Sequence, residues 1–493
     1  MRTRNMDLTK GTIWKQLLLF AAPLALTQLL QQLYNTVDLA IVGNFASDNS
    51  MGAIGSTTAL GNLFITFFVG ISAGCTVAVA QAFGAGEYKD IRHHVHTAYA
   101  ISAVGGIVIP IAGYFGVTLM LEAMGTPPEI FPAAESYLRI IFVGTLPVLI
   151  YNYGSGILRA LGDSRRPLYF LAIGLVVNLF LDLLFVAVFR WDVAGAAWAT
   201  VISQVITAVL VSLSLMRTTS EWQLDPKRIR FVPSSLRLML SIGIPSSLQM
   251  LVVSLSNVLI QSIVNSFGHI AVKGMAVASK IDGFSIVFIH SIAMAITTFV
   301  GQNAGAKRYN RLRAGIRTGL ITMFALSAIV AAFFLIFADP IVSIFNRDPE
   351  VMAVTKGMIS VMLPTYWILG CSQMFANALR GLKKSLQPML ISIFGMVGVR
   401  LLWLLTMRPV FNSLEVVYYA YPVSWFASAL PMFIYYIYHV HHRLGLGGKI
   451  SVEPDDSPIP AEVGAESPLE TDTESSSITV DAEDPISACS GND

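Results

Sequence analysis

The sequence predicts an all-α membrane protein with twelve transmembrane helices in two six-helix, pseudo-symmetric bundles, and three observations carry that expectation. Of its 493 residues 54% are hydrophobic and only 13% charged, with mean hydropathy +0.65, whereas soluble domains carry about a quarter charged residues. The basic residues fall on alternate loops between apolar stretches. The chain also repeats itself at an offset of 221 to 222 residues.

Taken in order, charge clusters, glycine and proline delimit spans near 14–43, 52–82, 95–121, 131–158, 167–189, 193–215, 235–266, 271–301, 314–338, 352–379, 386–408 and 414–442. Most exceed the roughly 20 residues a helix needs to cross about 30 Å of hydrocarbon. The first follows Arg2, Arg4, Lys10 and Lys15 and stays apolar to about Val42, longer than the apolar core of a secretory signal. It reads as the first span.

Basic charge then marks every second loop: Lys89 and Arg92; Arg159, Arg165 and Arg166; Arg217 through Arg237; Lys307 through Arg317; Arg380 through Lys384; Arg443 and Lys449. By the positive-inside rule these loops and both termini are cytoplasmic, which requires an even number of spans. The expected organisation is a cytoplasmic N-terminus at 1–13, a six-helix lobe at 14–215, a cytoplasmic linker at 216–234, a second lobe at 235–442 and a tail at 443–493.

From residue 449 onward the sequence holds twelve acidic residues and one lysine among many Ser, Thr and Pro. Such a segment cannot bury enough apolar surface to order itself, so a disordered cytoplasmic tail is expected. The remainder carries 31 basic and 18 acidic residues, an excess that fits membrane topology and anionic lipid rather than nucleic acid. Cys75, Cys371 and Cys489 stand singly, which offers neither a disulfide framework nor metal-ligand spacing. His93, His94 and His96 read as a wet cytoplasmic face.

The repeat pairs Gln81, Gly84, Tyr88 and Arg92 with Gln302, Gly305, Tyr309 and Arg313. It also pairs Pro23 with Pro245, Asn35 with Asn257, and Leu158-Arg159-Ala160-Leu161 with Leu379-Arg380-Gly381-Leu382. Two halves of six spans each share one orientation. Parallel repeats of this kind place a substrate cavity between the halves, and a V-shaped molecule with a central cavity is expected.

These segments, with Asn35-Thr36-Val37-Asp38 in span one, Ala80 through Gly86 after span two, Leu158 through Asp163 after span four, and Asn178 with Asp182 in span five, resemble the multidrug and toxic compound extrusion family. The resemblance runs from Lys10 to His442. It implies export of drugs, dyes or metabolites driven by inward proton or sodium flow, with no cofactor beyond that coupling ion. A monomeric transporter in a bacterial inner membrane is expected, with a small-molecule substrate and the bilayer as its partners.

An acid inside hydrocarbon is costly and marks function by default. Asp38 lies 15 residues past Pro23 and Asp182 lies 15 past Pro167, which puts both roughly 22 Å above the basic ends of their helices. Thr200 falls at similar depth. Asn178 shares a helix face with Asp182 at i, i+4, and Gln31 shares one with Asp38 at i, i+7. Together they make a hard-oxygen set suited to a proton or a sodium ion. These positions match the cation site the family places in its first half, and Asn152 matches too. The repeat sets Ile260 against Asp38 and Trp403 against Asp182, so the second half lacks the cluster. That departure resembles the DinF-like and MepA-like side of the family.

Pro23 is the expected hinge of span one. Tyr34, Phe64, Met250 and Phe288 are candidate cavity residues by stacking and cation–π attraction, with Asp282 and Arg400 as charged contacts or as a self-neutralising pair. Lys280, two residues from Asp282, points elsewhere on its helix. A lipid-linked precursor flippase of the same broader group is the alternative. No nucleophile–base pair or phosphate loop supports an enzyme, and Gly84-Ala85-Gly86 is an interhelical turn rather than a strand-to-helix loop.

Overall fold

The computed structural model describes residues 6–45, 57, 67 and 70–440, with the side chains of residues 35, 39 and 40 excepted. The outer part of the 52–82 span, Phe64 and the acidic tail lie outside the described residues.

The first half comprises α1 (Ile13–Phe45), α2 (Gly70–Ala85), α3 (Tyr88–Ala123), α4 (Phe131–Val143), α5 (Thr145–Ala160), α6 (Arg165–Val188) and α7 (Asp192–Met216). The second comprises α8 (Pro233–Asn265), α9 (His269–Gly305), α10 (Tyr309–Ile336), the short α11 (Ala338–Phe345), α12 (Pro349–Gly381), α13 (Leu386–Phe411) and α14 (Glu415–Tyr438). Among the described residues, nine helices are long and apolar enough to cross a membrane, and α4 with α5 make a tenth span. The shorter apolar α2 and the 24-residue α14 stand at the second and twelfth places of the expected series.

The α4–α5 span bends by 45° at Gly144. Pro147 lacks the N–H that would bond Val143, the last residue of α4, and such a gap in the ladder is a recognised cause of kinking. Glycine is needed at 144 because a Cβ would lie 2.5 Å from the Val201 side chain on α7. Side chains on the outer surface, such as Phe115, Val176, Phe180, Ile329 and Leu405, are apolar and exposed, as hydrocarbon contact requires.

At the end carrying the basic loops, four helix exits adopt left-handed backbone in matched positions: Gly86 and Gly162 in the first half, Lys307 and Lys383 in the second. Asp163 N–H reaches back to the Leu158 carbonyl, and Lys384 N–H to the Leu379 carbonyl. The repeat therefore preserves a helix-ending bond pattern even where glycine has given way to lysine. A C-terminal lysine also complements the helix dipole.

Helix α1 belongs to both halves. Near the basic end it buries Leu17, Phe20, Ala21 and Leu24 in a core shared with Leu8 of the N-terminal arm and with residues of the second half. Beyond Pro23 its far part buries Ile41 and Val42 against Val186 of α6 and Val193 and Ala196 of α7. The proline stands near the changeover. Its carbonyl accepts from the Thr27 hydroxyl at 2.7 Å.

Candidate cation site

A buried stripe on α6 runs through Pro167, Leu171, Gly174, Asn178 and Asp182, spacings of three and four that define one helix face. Gly174 lets this face lie against Thr207 of α7. Directly after Asp182 the helix widens into a π-helical turn, Leu183–Val188; such turns are frequent at functional sites. Asp182 and Asn178 are both fully buried, and Asp38 on α1 is 9% exposed.

The carboxyl groups of Asp38 and Asp182 lie close enough to act on each other electrostatically. One oxygen of Asp38, both of Asp182 and both amide atoms of Asn178 have no hydrogen-bond partner among the described residues. Buried polar atoms normally have one. The Tyr34 hydroxyl donates to Ser203 Oγ at 3.0 Å, and Ser203 donates onward to the Thr200 carbonyl at 2.8 Å. Tyr137 of α4 closes the side beside Asp38 and Tyr34. Beyond the acids lies the apolar cluster of Ile41, Val42, Val186, Val193 and Ala196.

The structure thus brings together Asp38, Asp182, Asn178, Tyr34 and Thr200. It sets Gln31 apart: its side chain is exposed, two turns or about 10 Å along α1 from Asp38, so a shared face does not become a shared site. Asn152 donates to the Val148 carbonyl of its own helix at 2.8 Å. Ser203 and Tyr137 were not foreseen. Ser203 lies one turn from Thr200 on the same face, and the depth of Tyr137, six residues into α4, offered a signal.

The second half has no such cluster at the matched positions among the described residues. Ile260 is buried in an apolar core that also holds Leu404 and Trp425, with Trp403 packed against it. The Trp403 indole N–H donates to the Val416 carbonyl at 3.0 Å.

Elsewhere in that half, Tyr366 donates to Asp282. Arg400 donates to Ser424 at 3.0 Å and Asn257 at 3.3 Å and lies 4.7 Å from the Tyr421 ring centre. Asp282 and Arg400 are close enough to interact electrostatically, yet each is held by neutral partners rather than by a direct ion pair. Lys280 is exposed. Phe288 joins Ser285, Met323 and Tyr366 around a gap within this half, whereas Met250 on α8 is 36% exposed. His94 pairs with Ser235 at 2.9 Å; His96 donates to the Arg92 carbonyl and accepts from Asp225 N–H at 3.1 Å. These histidines tie α3 to the linker and α8.

The MatE family model matches residues 23–184 and again 245–404, one copy in each half. The chain is 28% identical over 437 residues to a probable multidrug resistance protein, YoeA, of Bacillus subtilis, covering 87% of this chain and 94% of that one. It is 19% identical over 438 residues to the multidrug export protein MepA of Staphylococcus haemolyticus, covering 88% and 95%. In three dimensions it resembles an outward-facing multidrug resistance MATE family transporter of the MOP superfamily, with TM-score 0.83 and 22% identity over 90% of this chain and 99% of that one.

Proposed function

The chain belongs to the MatE family, as the match in both halves shows, and on that premise we propose that it is a secondary antiporter. It exports small organic molecules, often cationic and amphipathic, in exchange for an inward-moving proton or sodium ion. The names of its relatives are those of transporters rather than enzymes. The observation that carries the coupling is the facing of two buried carboxyl groups, Asp38 and Asp182, with no such pair at the matched positions of the second half among the described residues.

Two carboxylates this close in a low-dielectric interior repel strongly. A proton or a sodium ion between them relieves the repulsion, and Asn178, Tyr34 and Thr200 supply further oxygens of the hard type such a cation takes. Because α1 buries its basic-end portion in the second half and carries Asp38 against the first, drawing Asp38 toward Asp182 loads the segment around Pro23. Cation entry thereby biases α1 toward bending and the pocket toward release of substrate. Linkage then requires substrate to weaken cation binding by the same factor, roughly 5- to 150-fold for a coupling of about 1–3 kcal/mol.

The basic loops face the cytoplasm of a bacterial inner membrane in this reading, and a single chain suffices for the cycle. Purified protein in liposomes under separately imposed proton and sodium gradients identifies the coupling ion. Efflux driven by one gradient supports antiport. Efflux indifferent to both removes it.

A further inference from the structure

At the basic end, the motif that recurs between the halves closes on itself. Gln81, in α2, donates its side-chain amide to the Gly381 carbonyl at the end of α12, at 2.7 Å. Gln302, in α9, donates to the Ala160 carbonyl at the end of α5, at 2.8 Å. Gln81 and Gln302 are repeat equivalents, and so are Ala160 and Gly381. Each glutamine reaches the acceptor in the opposite half.

The acceptors are the carbonyls those helix ends leave over. Carbonyls 157, 158 and 159 receive Leu161, Asp163 and Gly162, and carbonyls 378, 379 and 380 receive Leu382, Lys384 and Lys383. The next carbonyl in each series has no N–H of its own helix left to take. The close approach depends on glycine: a Cβ on Gly84 would overlap the Gln302 backbone, and one on Gly305 would overlap the Gln81 backbone. These two glycines are again repeat equivalents.

We propose that Gln81 and Gln302 are the gate residues of the basic end, two reciprocal latches that must both release before the halves part there. The proposal deepens the antiport reading, since alternating access needs such a release. The latches are unequal. Gln302 is fully buried, and its remaining oxygen accepts from Leu8 N–H at 3.0 Å. The N-terminal arm around Leu8 is itself tied to the second half by Asn303, Arg308 and Arg311 and to the first by Met6 N–H on the Gly162 carbonyl. Among the described residues no equivalent strap reaches Gln81.

The test is a distance between spin labels at Arg165→Cys and Lys307→Cys, exposed positions at the basic end of opposite halves. It uses a background without Cys75, Cys371 and Cys489, in lipid nanodiscs, with neither substrate nor gradient. Gln81→Ala and Gln302→Ala are each expected to lower the ratio of short to long distances by about twofold to tenfold. The Gln302 change should be the larger, and the double change should combine them. Gln81→Glu with Gln302→Glu removes the donors without opening a cavity and should act in the same direction, as should Gly84→Ala with Gly305→Ala. Unchanged distances in whichever of these variants remain monodisperse overturn the gate. Because no transport is measured, that result is separable from failure of the carboxylate pair to couple a cation.

Discussion

Replacing Gly174 by alanine tests whether the seam between α6 and α7 holds the acids in place. A Cβ there would overlap the Thr207 methyl group, while its next neighbours, the Ser203 carbonyl and Thr207 Cβ, would lie at 3.7 and 3.9 Å, ordinary contact distances. The conflict is therefore with one methyl. Inserting a methylene-sized group into a closed seam costs about 1–3 kcal/mol. Thr207→Ser removes the offending methyl while leaving a hydroxyl that can still donate to the Gln204 carbonyl, as Thr207 does at 2.8 Å. Unfolding of the four proteins of the cycle in dodecylmaltoside–SDS mixtures, followed by tryptophan fluorescence, should show Gly174→Ala destabilised and the double variant largely restored. The expected coupling is about 1–3 kcal/mol, beyond the roughly 0.5 kcal/mol by which independent sites depart from additivity. Gradient-driven efflux should fall and recover in parallel. Strict additivity would refute the claim that this contact sets the helix spacing beneath Asn178 and Asp182.

Lys383 has φ +62, a left-handed conformation that disfavours a Cβ, so Lys383→Gly should raise the unfolding free energy by about 0.5–1 kcal/mol, the range over which such backbone effects act; a loss of stability in the same titration would contradict the assigned helix ending. At its repeat partner Gly162, a Cβ would overlap the Met6 backbone, and Gly162→Ala should destabilise. Cysteine labelling in sealed cells should find Asp348 accessible from outside and Arg228 and Lys383 from within, and any reversal would undo the twelve-span topology. Asp163 does not serve that assay, because it is 4% exposed and bonds to the backbone of Arg165 and Arg166.

Most spans were legible because a membrane helix must be apolar for its whole length, and that constraint writes itself into composition. The bend within 131–158 was signalled by Gly144 and Pro147, but the closeness of Gly144 to Val201 was not, because it is set by packing across a helix interface. The two acids stood out for the same reason they are costly: few charges occur at that depth. Tyr137 and Ser203 did not, since tyrosine and serine are ordinary in membrane helices and only the neighbours they meet distinguish them. Gln31 shows the converse error, where helical phase was right but axial distance was not weighed. The repeat revealed Gln81 and Gln302 as equivalents, yet their contacts cross between halves, and periodicity along one chain carries no information about that crossing.

The central claim is that Asp38 and Asp182 are the coupling pair and that their counterparts in the second half are structural. Substrate efflux from proteoliposomes at matched protein content, under the gradient that drives the unmodified protein, compares Asp38→Asn with Asp182→Asn combined against Trp403→Phe. The double asparagine variant should fold, because it removes charge from an apolar setting, and should lose gradient-driven efflux. Trp403→Phe forfeits one hydrogen bond, worth about 1 kcal/mol, and should transport nearly normally. Normal gradient-driven efflux by the double asparagine variant would contradict the account.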